Sequence, residues 1–264
     1  LMLGFLPFIG LIIGIIWSAA YFGLVYAGFP FFVVAFLITF LPFALCGFMH
    51  MDGFMDCCDA IMSRRPLEQR QLILKDSNTG AFAVVGMIFF VLGYFCFLST
   101  AVTTGVDFAN MVMIVVMSRS ISGLHVLICK PMGQSQYAML HDAEPPEETL
   151  PEETLPEEEP TEESTTEEDC TELVACDSVE TASKKASAKS GVILLLVLLA
   201  VITALAFWCS SLWLATLIVS AATALGSLIS IQYAKKNLGG MSGDIAGFGI
   251  LWGELIGVFA LVLC

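Results

Sequence analysis

The sequence predicts an all-α fold: a polytopic membrane bundle of about seven transmembrane helices, interrupted by an acidic insert on the cytoplasmic side. Three observations predict it. The 264 residues are 57% hydrophobic with a mean hydropathy of +0.85, outside the range of ordinary soluble domains. Apolar runs long enough, or nearly so, to cross a bilayer recur along the chain. Ten of the eleven Lys and Arg residues fall in alternate connections between those runs, as a uniform sidedness requires.

The first run, roughly 3–27, turns at Gly28-Phe29-Pro30 into the second, 30–49. It is too long and too poor in flanking basic residues for a cleavable signal peptide. The chain opens on Leu1 rather than Met, so a preceding segment is expected. Runs at 80–103 and 108–129 are joined around Gly105 and Asp107, and the last three occupy 191–209, 212–234 and 245–264. Arg64, Arg65, Arg70 and Lys75 lie in the first long connection, Lys130, Lys184, Lys185 and Lys189 in the second, and Lys235 and Lys236 in the third. Seven spans put all three connections on one side, which the positive-inside rule makes cytoplasmic.

The formal charge of −14 comes from one segment: 17 acids and no Lys or Arg lie between Asp142 and Glu180. That stretch repels itself and has too little apolar surface to offset chain entropy, so 142–189 reads as a disordered cytoplasmic insert. The chain thus divides into a first membrane part (1–141), the insert (142–189) and a second membrane part (190–264). The nine cysteines show no paired spacing of a zinc site or disulfide framework, and Cys57-Cys58 reads as small apolar filler.

Outside the insert eight acids remain, and three recur at i, i+4 and i+7: Asp52, Asp56 and Asp59. On a helix they share one face about two turns long. Three like charges at a bilayer surface are costly unless a cation neutralises them, and hard oxygen ligands suit Mg²⁺ or Mn²⁺. Downstream, Lys75-Asp76-Ser77-Asn78-Thr79-Gly80 leads into the third span, with Ser77 or Thr79 as a cap and the helix N-terminus open to an anion. Arg64, Arg65, Arg70 and Lys75 suit phosphate oxygens as well as marking topology. A glycine-rich segment, Gly239-Gly240-Met241-Ser242-Gly243-Asp244, opens the last span beside Lys235 and Lys236, where its amides could cradle a phosphate. Arg119, in mid-span, needs a partner, for which Glu254 is placed; an ion pair and a substrate contact remain open. His50 adjoins the carboxylate face, and His125 reads as a buried, hydrogen-bonded residue.

At these motifs the chain resembles the cobalamin synthase (adenosylcobinamide-GDP ribazoletransferase) family. The likeness runs through His50, Asp52, Gly53, Asp56 and Asp59, then Arg65 and Arg70, then Lys75, Asp76, Ser77, Gly80, Ala81 and Phe82. It resumes at Ser118-Arg119 and at Gly239, Gly240, Ser242, Gly243, Asp244, Gly247 and Glu254. Departures are a missing N-terminal segment, Leu251 at a position often acidic, and the long insert.

The resemblance implies a Mg²⁺-dependent transferase of the prokaryotic cytoplasmic (inner) membrane, its site facing the cytoplasm. It would join α-ribazole or its 5′-phosphate to adenosylcobinamide-GDP and release GMP. The implied metal ligands are Asp52, Asp56, Asp59 and Asp244, with catalytic roles for Asp52, Asp56, Asp59 and Asp76. Substrate contacts fall to His50, Arg65, Arg70, Lys75, Arg119, Gly240, Ser242, Gly243, Asp244 and Glu254. Other cobalamin-assembly enzymes are candidate partners and nucleic acid is not. Two alternatives stand beside it: a phosphotransferase using a cytidine-diphospho-alcohol, whose Asp-Gly-x-x-Ala-Arg continuation is missing here, and an ion-coupled transporter with Arg119 and Glu254 on its pathway.

Overall fold

A computed structural model describes residues 2–132, 189–208, 210 and 212–264. Except for Lys189, the acidic insert expected at 142–189 lies outside the described residues. A short 3₁₀ turn (Met2–Phe5) leads into α1 (Leu6–Tyr26), followed by α2 (Phe31–Ala44), α3 (Met49–Met62), α4 (Leu67–Ile73), α5 (Ala81–Thr104) and α6 (Phe108–Ile128). After the insert come α7 (Lys189–Trp208), α8 (Trp213–Leu238) and α9 (Gly243–Leu263). No strand occurs among the described residues; the one bridge joins Pro131 to Met241.

Six of these helices are long and apolar enough to cross a membrane, and α2 with α3 makes a seventh candidate broken by an 86° bend. The expected span at 30–49 therefore stops short, at Ala44. Pro42 inside α2 has no N–H to give the ladder. Gly47 and Phe48 then take left-handed conformations, with φ of 62° and 60°. The chain leaves that bend as α3, which does not continue through the bundle but lies across the N-terminal ends of α5 and α9. A Cβ on Gly80, the residue that opens α5, would sit 2.6 Å from an Asp59 oxygen, and one on Gly53 would sit 2.7 Å from the Cα of Asp244.

Helices α6 and α9 form the centre, with 78% and 67% of their apolar windows buried, against 22% for α5 and 17% for α7. Close packing without a water-driven hydrophobic effect depends on small residues at helix contacts. Gly10 and Gly14 of α1 meet the backbone of α6 at Val115 and Val112. Gly249, Gly253 and Gly257 form a stripe on α9 against Ile231, Ser227 and Thr223 of α8. Outward-facing positions on α2 and α5 carry exposed Phe32, Phe36, Ile88 and Phe89, as lipid contact requires.

One end of the bundle gathers the chemistry. Arg70 of α4 donates to the Asn237 carbonyl (3.2 Å) and side chain (3.0 Å), and Gln71 to the Leu238 carbonyl (2.8 Å). The glycine loop is tied in by Met132 N–H to Met241 O (2.9 Å) and Met241 N–H to Lys130 O (3.1 Å). The starts of the three basic connections thus meet around α3, as the sidedness argument expects. At the opposite end, Asp107 caps α6 through Ala109 N–H (3.2 Å) and accepts from Ser210 Oγ (2.8 Å).

Candidate active site

The α3 helix is amphipathic about its long axis. Asp52, Asp56 and Asp59 share one face, with Asp52 exposed and the other two half-buried, while Met51, Phe54, Cys57, Cys58 and Ile61 are buried. Two glycines let α3 approach the start of α9: Gly53 against the Asp244 backbone, and Gly247 against the His50 backbone, where a Cβ would lie 3.0 Å from the carbonyl oxygen. That crossing brings Asp244, more than 180 residues away in sequence, into the electrostatic surroundings of Asp52 and Asp56.

Partial burial, then the negative charges of Asp52, Asp244 and Asp59, push the Asp56 carboxyl up to about 6. No cation among the described residues forms an ion pair with the group, the one ion pair there being elsewhere. Nor do three Asp, Glu, His or Cys side chains stand close enough to hold an ion between them, among the described residues. The donor set nevertheless fits Mg²⁺, which keeps several waters and takes one or two carboxylates plus substrate phosphates rather than a full protein cage. Asp52, Asp56 and Asp244 are hard oxygen donors from two helices with unbalanced charge.

Asp59 is differently placed. Its Oδ2 accepts Gly80 N–H (2.6 Å) and its Oδ1 accepts Ala83 N–H (2.9 Å), so it caps α5 from another helix. This corrects the expectation that Ser77 or Thr79 caps that helix: no local side chain does so. The helix N-terminus expected to face an incoming anion already holds one, the Asp59 carboxylate. About half of that carboxylate's lone-pair sites are thereby used.

Asp76 turns into its own loop, accepting Asn78 N–H (3.0 Å) and the Asn78 amide (2.7 Å). Those bonds hold its carboxyl below the usual range. Lys75, next to it in sequence, and Arg65, before α4, are exposed. Arg70, by contrast, is spent on docking α4 to α8, with Nε on the Arg65 carbonyl (2.6 Å). In the glycine loop Gly239 and Met241 N–H groups are committed to Lys235 and Lys130 carbonyls. Gly240 is pressed against Met132, where a Cβ would lie 2.8 Å from its Cα. Ser242 caps α9 through Ile245 N–H (3.3 Å) and donates to Asp244 Oδ2 (3.3 Å), and Gly243 stands exposed at the helix start.

Arg119 and Glu254 form the ion pair left open by the sequence, with side chains 2% and 0% exposed. Ser118 Oγ adds a bond to the same Glu254 oxygen (3.1 Å), and the other fork of Arg119 reaches Cys46 Sγ (3.4 Å) in the α2–α3 bend. Such burial makes this a structural pair beneath the site rather than a surface for substrate. His50, at the root of α3, has a buried Nδ1 without a hydrogen-bond partner among the described residues. Burial and the Arg119 charge lower it to about 3, so the ring is neutral. His125 is buried with Nδ1 against the Ile121 carbonyl (2.8 Å), as expected of a core residue. The Lys130–Met132 tether, the Cys46 contact and the Asp59 cap had no local sequence signal.

The sequence profile of the family described as cobalamin-5-phosphate synthase matches residues 2–151 and 172–262. The chain belongs to that family. A cobalamin synthase relative from Clostridium perfringens (strain SM101 / Type A), named adenosylcobinamide-GDP ribazoletransferase, is 31% identical over 97% of this chain and 84% of its own. Relatives of the same name from Clostridium botulinum (strain Eklund 17B / Type B) and Lachnoclostridium phytofermentans are 48% and 39% identical over 31% and 36% of this chain, and 32% and 36% of their own. No solved structure matches. Membership in this cobalamin synthase family makes the chain a transferase of cobalamin assembly and sets aside the transporter reading.

Proposed function

We propose that this protein joins α-ribazole, or its 5′-phosphate, to adenosylcobinamide-GDP and releases GMP at the cytoplasmic face of a prokaryotic inner membrane. The observation that carries the reading is the meeting of Asp52 and Asp56 on α3 with Asp244 at the start of α9, at the end of the bundle where the basic connections collect. A ribose hydroxyl that is free in both α-ribazole and its 5′-phosphate, which excludes the 5′ position, attacks the phosphorus nearest the cobinamide, the diphosphate bond breaks, and GMP leaves with the bridging oxygen. In-line placement and compensation of spreading charge are what such a displacement needs.

Asp52 and Asp244 are the residues that would hold Mg²⁺. A divalent cation held by these two carboxylates would supply positive charge to offset that developing on the diphosphate and the GMP leaving group. Asp56, raised to about 6, is poised to take the proton of the attacking hydroxyl near neutral pH. Exposed Arg65 and Lys75 contact phosphate oxygens, Asp59 fixes α3 to α5, and Arg119 with Glu254 supports the helix from below. The test is GMP release from membranes supplied with adenosylcobinamide-GDP, α-ribazole and Mg²⁺. Loss of a positioned proton acceptor lowers turnover about 10²–10⁴-fold, so Asp56→Asn is expected to fall in that range; wild-type turnover from this variant would refute the assignment.

A further inference from the structure

The face of α3 opposite its carboxylates roofs a second feature, a cavity of ≈ 410 Å³. Phe54, Cys58 and Ile61 come down from α3, and Phe90 and Phe248 close the sides from α5 and α9. At 100° per residue these α3 positions point away from Asp52, Asp56 and Asp59, so the cavity is separated from the active site by the width of a helix. Its lining is overwhelmingly apolar, so a nucleotide or sugar would leave polar groups unpaired there.

The mouth identifies the occupant. Met62, Val85, Phe89 and Tyr233 line the cavity and are 43%, 44%, 72% and 54% exposed. Val85 and Phe89 continue into the exposed apolar surface of α5 at Val84, Ile88 and Leu92. On a membrane-spanning helix that surface faces acyl chains. Two cations lie close in the chain to residues of this mouth at the α3 end of the bundle: Arg64 follows Met62 by two residues, and Lys236 lies one turn beyond Tyr233 on the same side of α8. Both are exposed and neither has an ion-pair partner among the described residues. Lys235, one residue earlier, points elsewhere, to Cys129 Sγ (2.9 Å). Apolar cavity and unpaired cations stand in the order of a lipid tail and its headgroup.

We propose that this cavity seats one acyl chain of an anionic phospholipid whose phosphodiester is held by Arg64 and Lys236. The lipid packs directly under the helix that carries Asp52 and Asp56. The site does not depend on which reaction that helix performs.

The test reconstitutes the full chain in phosphatidylcholine nanodiscs containing a trace of phosphatidylglycerol with a photoactivatable group at its acyl terminus. Label is expected on Phe54, Val85, Phe89 and Trp252. It should exceed, by roughly ten- to thirtyfold, that from phosphatidylcholine carrying the same chain, as two cations near an anionic headgroup dictate. Val85→Trp, which plugs the mouth, is expected to remove the label. Arg64→Gly with Lys236→Gln is expected to erase the preference for the anionic lipid while the cavity still labels with either. Arg64 has a φ of 54°, which glycine adopts freely, so this variant keeps the backbone. Label spread evenly over the outer faces of α1, α2 and α5 would overturn the proposal. So would an undiminished preference in the double variant, displacement of the label by α-ribazole, or a cross-linked second copy in place of lipid.

Discussion

Removing Glu254 should be among the most damaging single truncations in the bundle. Arg119 has a 2% exposed side chain and its partner is fully buried, so Glu254→Ala leaves a guanidinium without a counter-charge and without water. Its remaining acceptors are the Val115 carbonyl and Ser118 Oγ, both at 3.4 Å and long for oxygen, and Cys46 Sγ at 3.4 Å, a weak acceptor; none replaces a charged partner. Breaking a buried pair from one side costs about 3–5 kcal/mol, whereas exchanging both members for apolar residues of similar volume is neutral or stabilising by about 1–4 kcal/mol. Arg119→Met with Glu254→Leu is therefore expected to restore the stability that Glu254→Ala loses. Unfolding by titration with a denaturing detergent, run on Glu254→Ala and on Arg119→Met, Glu254→Leu and their double, measures the loss and closes the cycle. A cost below about 1 kcal/mol for Glu254→Ala, against the 3–5 expected of an orphaned buried charge, would refute the pairing argument. A double variant no better than the single one would do the same.

Three further outcomes follow from the α3 crossing. Because the folded state raises the Asp56 carboxyl from 3.8 to about 6, folding binds that proton more tightly. Its contribution to stability is present below about pH 3.8 and is lost as pH rises through about 6. Catalysis runs the other way, since the ionised carboxylate is the proton acceptor. Turnover is expected to fall on the acid side at or below about pH 6, lower if a bound cation offsets Asp52, Asp59 and Asp244. This part of the pH dependence of stability should be absent from Asp56→Asn, as paired pH titrations of unfolding and GMP release would show. Asp59→Ala strips both caps from α5 and should cost about 0.5–2 kcal/mol. Asp59→Asn keeps one acceptor oxygen and should cost less in the same unfolding assay. Gly53→Ala drives a methyl onto the Asp244 Cα and should cost about 1–3 kcal/mol as overpacking. Its GMP release should fall with it, more than that of Gly23→Ala, which meets nothing within 4 Å.

Much of this was written in the chain in local terms. Hydropathy located the spans, and the i, i+4, i+7 spacing of Asp52, Asp56 and Asp59 specified a helix with one acidic face, because both signals repeat at the period of the element they describe. The partnership of Arg119 with Glu254 was legible because a lone charge in an apolar run demands one. The span at 30–49 misread its end: hydropathy does not register an 86° bend, although Pro42 and Gly47 mark it. The cap of α5 was misassigned to its own loop because capping motifs are read from neighbours in sequence, and Asp59 reaches Gly80 from 21 residues away. Arg70 and the Gly239 and Met241 amides looked available for phosphate because sequence shows a donor but not its acceptor.

The placement of α3 explains why so few residues carry the site. A helix that spanned the bilayer would put Asp52, Asp56 and Asp59 at three depths, two of them in hydrocarbon, where an ionised group is expensive. Turned through 86° and laid over the starts of α5 and α9, the same sequence keeps all three at one level. There each meets something electropositive or close to water. Asp59 takes the exposed amides at the start of α5, Asp52 faces solvent, and Asp56 lies between them beside the first turn of α9. The positive end of a helix dipole favours negative charge only over its first turn, so the glycines at 53, 80 and 247 set the geometry. Each brings a backbone within a methyl's width of its neighbour, and a larger residue at any of the three would lift α3 away from the helix ends that offset its charge. Asp56 remains the least compensated of the group, and on this reasoning it is where added positive charge, or a proton, has the greatest effect.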